Sequence, residues 1–164
     1  MDVKLRKLER ADIPLFYKWW NDDELRKWTS DTYEKMGEKE IEDILLKHFD
    51  DDNCNDFIIE FDGVPIGHIL IQKDKNNVFS YYIAIGEKDY WDRRIGTKSN
   101  ELAWKWFSSN FPGEVLSLEV NQDNPRAIRC YEKSGFKQIG EKKYKNKKPT
   151  FVMTTGKIPI SKDK

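Results

Sequence analysis

The chain has 164 residues, 38% of them hydrophobic and 35% charged, and its 29 Lys and Arg balance 29 Asp and Glu. That length favours one domain around one core, and that composition excludes a disordered chain. A net charge of zero argues against a nucleic-acid partner, and no apolar run approaches the length of a membrane span.

Val3 to Leu8 alternates apolar and charged residues, which predicts a strand. Asp12 then caps a helix that has Pro14 in its first turn and Leu15, Phe16, Trp19 and Trp20 on one side. A second helix is expected from Glu38 to Phe49, with Ile41, Ile44, Leu45 and His48 at helical spacing. Phe57–Phe61 and Val64–Ile71 flank Asp62-Gly63, a hairpin turn signal, and a turn at Asp74–Asn77 leads into Val78–Ile85. Three antiparallel strands therefore follow one another.

Ile95, Leu102, Ala103, Trp106 and Phe107 mark the buried stripe of the next helix, which Pro112-Gly113 ends before a strand at Val115–Val120. A strand, crossover helix and strand in one sheet should run parallel. A short helix opens at Asn124-Pro125 and stops at Gly135, and a basic hairpin spans Phe136–Tyr144 and Pro149–Thr155. The expected fold is thus α+β, a mixed and mostly antiparallel sheet with one splayed parallel pair flanked by helices. One domain should fill 1–158, with a disordered tail at 159–164.

The opening Met-Asp-Val-Lys-Leu-Arg lacks a secretory hydrophobic segment, and Cys54 and Cys130 stand far apart outside any Cys-x-x-Cys. Two free thiols in a reducing, cytoplasmic setting are expected. Between Asn21 and Asn53 there are 12 acidic and 5 basic residues, whereas Arg126 to Lys164 holds 12 basic and 3 acidic. These are either solvated faces or an acidic wall for a cationic substrate and a basic margin for a phosphorylated cofactor. Nucleotide-binding, serine-hydrolase and zinc-protease motifs are absent from the sequence.

The stretch Asn124-Pro-Arg-Ala-Ile-Arg-Cys-Tyr-Glu-Lys-Ser-Gly-Phe136, with Leu15-Phe-Tyr-Lys-Trp-Trp-Asn21, resembles the GNAT superfamily of acetyl-CoA-dependent N-acetyltransferases. The likeness runs from Leu5 to about Met153. It is similar in flavour to aminoglycoside 6'-N-acetyltransferases and to ribosomal-protein N-terminal alanine acetyltransferases. The resemblance implies acetyl-CoA as co-substrate and direct attack by a primary amine. The expected acceptor is a small cationic amine of aminoglycoside or polyamine type. A protein N-terminal amine is the close competitor, and a catalytically weak acyl-CoA-binding module is the reading from another class. A homodimer is compatible with the sequence.

The resemblance also places residues. The backbone of Ile83 and Ile85 would pair with the pantetheine amides like an added strand. The phosphate loop, Gln/Arg-x-x-Gly-x-Gly/Ala in the family, maps onto Trp91, Asp92, Arg93, Arg94, Ile95 and Gly96, and with Thr97 would hold the pyrophosphate. Trp91 and Arg94 depart from that pattern, and Arg94 either adds a phosphate contact or repositions binding. Asn124 would lie near the pantetheine arm, beyond its ordinary work as a helix cap. Tyr131 is either a core aromatic, four residues from Ala127, or the acid that protonates the leaving sulfur. Glu119 is either a solvated strand carboxylate or the group that orients or deprotonates the ammonium. Ser80 stands where many members carry an acidic residue, so a base must come from elsewhere or be a water. His48 reads as an ordinary helix residue, and His68 first as a structural histidine and otherwise as a base lining the acceptor cleft. Trp19, Trp20 and Trp28 read as core or rim before an aromatic substrate wall. No residue spacing suggests a metal.

Overall fold

The computed structural model describes residues 2–29 and 35–155. The expected tail at 159–164 and the Trp28 side chain lie outside the described residues. Among them the chain order is β1 (Val3–Lys7), α1 (Ile13–Trp19), α2 (Asp23–Thr29), α3 (Glu38–Phe49), β2 (Cys54–Phe61), β3 (Val64–Lys73), β4 (Phe79–Ile85), α4 (Ile95–Asn110), β5 (Leu116–Asn121), α5 (Pro125–Lys133), β6 (Lys137–Lys142) and β7 (Thr150–Thr154). Helix α2 was not expected, because it carries no apolar stripe. Its signal was electrostatic: the Asp22 carboxylate accepts from Leu25 N at 3.0 Å, and Asp23 and Glu24 fill the first turn.

One sheet holds all seven strands in the order β1-β2-β3-β4-β5-β7-β6. Only β4 and β5 run parallel; every other pair is antiparallel. The expected hairpin forms, but β7 rather than β6 lies against β5. That leaves β6 as a lysine-bearing edge with every residue exposed, a charge pattern that discourages edge-to-edge pairing.

Side chains alternate across the sheet and build two cores. Phe57, Ile59, Ile69, Ile71, Phe79, Tyr81, Leu116, Leu118 and Val120 pack with Ile95, Ala103 and Phe107 of α4 and Tyr131 of α5. Ile58 turns the other way and packs with Phe16 and Trp19 of α1, Leu25 of α2, and Ile41 and Leu45 of α3. The helices α1 to α3 therefore roof one face, and α4 and α5 cover the other.

Asp12 precedes α1 as expected, but its carboxylate does not cap that helix. It accepts from Arg6 Nη1 and Nη2, both at 2.8 Å, and from Glu9 N at 2.8 Å. Bidentate geometry from a guanidinium is stronger than a lone cap bond. Burial raises the carboxyl, but the Arg6 and Glu9 bonds outweigh it and hold it below its ordinary 3.8. A depressed carboxylate stabilises the fold above its unfolded pKa and loses that contribution as pH falls through its folded pKa. In urea titrations Asp12→Asn should therefore lose about 1–3 kcal/mol near neutrality. The gap to wild type should close only in acid, below about pH 4.

Candidate active site

The parallel pair comes apart. Strands β4 and β5 are in register only at Phe79–Leu116 and Ser80–Ser117, although β4 continues to Ile85 and β5 to Asn121. Strand alternation fixes what faces the gap. Gly86 N donates to Ile66 O on β3, so Tyr82 and Ala84 turn their backbone groups to β3, and Ile83 and Ile85 turn theirs to the gap. A cleft of about 1580 Å³ passes through it, lined by residues of β4, β5, α5 and the loop before α4.

That loop lines the cleft through Trp91, Asp92 and Arg94. Asp92 and Arg94 both have positive φ, at 61° and 62°, and Arg94 is the residue just before α4. The family-type loop has glycine at this position, and Arg94 supplies the left-handed turn in its place, at a strain of roughly 1 kcal/mol. No side chain caps α4, so the N–H groups of its first turn, from Ile95, Gly96 and Thr97, are open to an anion. Arg94, Arg126 and Arg129 also line the cleft. Arg126 ties the loop to α5: its guanidinium lies 4.3 Å from the Trp91 ring centre, and its Nη1 is 3.4 Å from Asp92 Oδ2.

The Trp91 indole donates to Ile85 O at 2.8 Å, using one of the two lone pairs of that carbonyl. Ile83 keeps both backbone groups outside any β4–β5 pairing. Asn124 caps α5, its Oδ1 accepting from Ala127 N at 3.2 Å, and it also lines the cleft.

Tyr131 projects from α5 beside the gap, 7% exposed, with its ring edge-on to Phe136 at 5.7 Å. It belongs to the core, as the first reading had it, and it also lines the cleft. Burial, with Cys130 and Tyr82 nearby, holds its phenol well above the ordinary tyrosine range, so it stays protonated. Glu119 lies across the gap on the opposite face of the sheet, with Ser117 and Asn121. Its carboxylate accepts from Tyr144 Oη, from Thr150 Oγ1 at 2.8 Å and from Lys142 Nζ at 3.5 Å. Partial burial raises this carboxyl, but those donors outweigh it and keep it below the ordinary range. Neither thiol is activated: burial pushes Cys54 up to about 12 and also raises Cys130.

Residues 2–137 match the family model described as an acetyltransferase (GNAT) domain. The chain belongs to this GNAT family. The spermidine N(1)-acetyltransferase of Escherichia coli K12 is 29% identical over 141 residues, covering 85% of this chain and 75% of the relative. The aminoglycoside N(6')-acetyltransferase type 1 of Klebsiella pneumoniae is 22% identical, with 84% and 75% covered. The crystal structure of aminoglycoside acetyltransferase AAC(6')-Ib in complex with coenzyme A superposes with a TM-score of 0.79 at 20% identity, over 93% of this chain and 94% of that one. Acetyl-CoA is the co-substrate of this GNAT domain, and the splay, the open amides and the basic rim fit its pantetheine and pyrophosphate.

The charge asymmetry of this GNAT sequence resolves differently from the simplest reading. Of the acidic residues in the Asn21–Asn53 segment, Glu40 lines the cleft, beside Arg26 and Lys35. Asp22 and Glu24 pair with Lys88, Asp23 with Lys35, and Glu42 and Asp43 with Lys39. The basic half divides: Arg126, Arg129 and Lys133 reach the cleft from α5, while Lys142 and Lys147 reach it from the β6–β7 hairpin beside Glu119. Tyr144 and Thr150 were missed as partners of Glu119, because only the hairpin's return beside β5 brings them there. Among the tryptophans, Trp19 is core at 2% exposure and lies where a Cβ on Gly86 would stand, 2.4 Å from its ring, whereas Trp20 lines the cleft. No helix among the described residues is long and apolar enough to cross a membrane, and no metal-binding cluster occurs among them.

Proposed function

We propose that this GNAT domain transfers acetyl from acetyl-CoA to a small cationic primary amine of polyamine or aminoglycoside type. The single observation that carries the reading is the separation of β4 from β5 beyond Ser80–Ser117. It leaves the Ile83 N–H and C=O free for the pantetheine arm, with the open turn of α4 lining the same cleft. Residues Ile85, Trp91, Asp92, Arg94 to Thr97 and Asn124 line the cofactor path, whereas Arg93, expected there too, lays its guanidinium on the Phe61 and Tyr90 rings. The acceptor preference is supported by the named relatives and by Glu40 and Glu119 in the cleft.

The amine attacks the thioester carbonyl directly, since neither thiol is primed to form an acyl-enzyme. A nitrogen–carbon bond forms and the carbon–sulfur bond breaks. A main-chain N–H near Ile83 stabilises the developing oxyanion. Tyr131 gives its proton to the departing sulfur and regains one from the new amide nitrogen. Glu119, saturated with donors and firmly ionised, attracts and orients the ammonium.

Purified protein should release free thiol from acetyl-CoA when given spermidine or an aminoglycoside, and release little with an N-terminal alanine peptide. Thiol release with the peptide alone would favour the protein-acetylating reading. Coenzyme A binding without turnover on any amine would overturn the enzymatic one. Arg94→Gly should relieve the left-handed strain yet weaken acetyl-CoA binding about tenfold in calorimetry, because a charged contact is lost. Tighter binding would show instead that the arginine obstructs the pyrophosphate.

A further inference from the structure

The acceptor face of the sheet holds a buried three-residue array that the mechanism above does not use. Asp56 on β2 stands between two histidines, with Oδ1 2.8 Å from His68 Nε2 on β3 and Oδ2 2.9 Å from His48 Nδ1 on α3. Carboxylates only accept, so each imidazole donates to Asp56, and His68 is left with Nδ1 as an acceptor. That Nδ1 is fully buried and has no hydrogen-bond partner among the described residues. An orphaned acceptor at this depth is unusual in a folded protein. The imidazole is 2% exposed and nonetheless lines the acceptor cleft. It stands opposite Ala84 on β4, the strand whose far edge borders the gap, one interstrand spacing of about 4.8 Å away.

We propose that His68 is the general base of the transfer, oriented by Asp56 and backed by His48. The inference rests on the acetyltransferase reading and deepens it. When the rings packed on it, Phe16 and Trp20, give way to the bound amine, His68 Nδ1 accepts one proton from the substrate ammonium, leaving a neutral amine and an imidazolium paired with the Asp56 carboxylate. The neutral amine then attacks, Tyr131 protonates the sulfur, and His68 returns its proton to solvent. Acid and base thus approach from opposite faces of the sheet and meet only through the splay.

The surroundings of His68 suit this work. Strand β2 brings Asp56, α3 brings His48 through Asp56, β4 brings Tyr82, and α1 with its C-terminal flank brings the rings of Phe16 and Trp20. The other carboxylates of the cleft are less suited. Glu119 is filled by three donors, Asp92 faces Arg126, and Glu40 lies exposed on the first turn of α3.

The test is steady-state kinetics with a series of acceptor amines of falling basicity. His68→Gln should lower kcat about 10²-fold on a strongly basic amine, with acetyl-CoA affinity unchanged. The deficit should shrink on a weakly basic amine that arrives already neutral. Asp56→Asn should show the same dependence on amine basicity, with a displaced alkaline-rising limb of kcat/KM. A variant with wild-type kcat and pH profile on every amine overturns the proposal, as does a deficit that is the same for all amines. Should His68→Gln fail to bind acetyl-CoA or to fold, His48→Gln at the outer end decides. A displaced pH limb supports the relay, and an unmoved one overturns it. Absence of transfer by the wild-type protein to any amine overturns the parent reading together with this one, whereas intact wild-type transfer with an unimpaired His68→Gln overturns this one alone.

Discussion

Tyr131→Phe should lower kcat by about 10²-fold while leaving acetyl-CoA affinity and thermal stability near wild type. The substitution removes only the phenolic oxygen. The ring, which packs edge-on against Phe136 and belongs to the larger core, remains. A phenol held above its ordinary range stays protonated at neutral pH, so it starts the reaction as a donor, although the same shift makes it a weaker acid. The loss should therefore fall on the step in which sulfur leaves. Substrates with a better thiolate leaving group need less protonation, so the deficit should narrow with them. An unchanged kcat would remove the acid role and leave Tyr131 as a core aromatic.

Phe16→Ala should be the most destabilising single change on the acceptor side, at about 3–5 kcal/mol by urea unfolding. Phe16 is 0% exposed. It meets Trp19 at 5.4 Å, Trp20 at 5.2 Å and His68 at 4.8 Å, all edge-on. Truncation leaves a cavity at the junction of α1, the sheet and the cleft wall, and three rings lose a common partner. Because Trp20 and His68 also line the cleft, the amine KM should rise while acetyl-CoA affinity holds. A variant that unfolds at the same urea concentration as wild type would show that the roof is not part of the core.

The elements that were legible in the sequence are those whose burial pattern is local. Strand β1 alternates Val3 and Leu5 with Lys4 and Arg6, so period two was enough to find it. Helix α4 keeps Ile95, Ala103 and Phe107 on one buried stripe, so period 3.6 was enough for it. Asp62-Gly63 marked the β2–β3 turn, and both residues do take positive φ. Helix α2 escaped because its formation rests on an aspartate cap and a charged first turn rather than on periodicity. The partner of Asp12 escaped because Arg6 reaches it from the preceding strand.

The site divides along the same line. Its cofactor half follows from contiguous segments: the loop into α4 and the cap of α5 carry their own signals. Its acceptor half depends on distant groups. Tyr144 and Thr150 on Glu119, and Asp56 between two histidines, are side-chain meetings that spacing does not announce.

The sequence by itself therefore determined the order of elements, the parallel strand pair joined by a crossover helix and the anion-ready helix terminus. Each of these is written in neighbouring residues through periodicity, turns and caps. Only the tertiary structure decided where charge ends up. It paired half of the described acidic residues of that stretch with lysines and brought the basic stretch to the cleft from both α5 and the β6–β7 hairpin. The physical reason is that a charge acts over ångströms in space, and the fold, through its strand order and its splay, sets those distances.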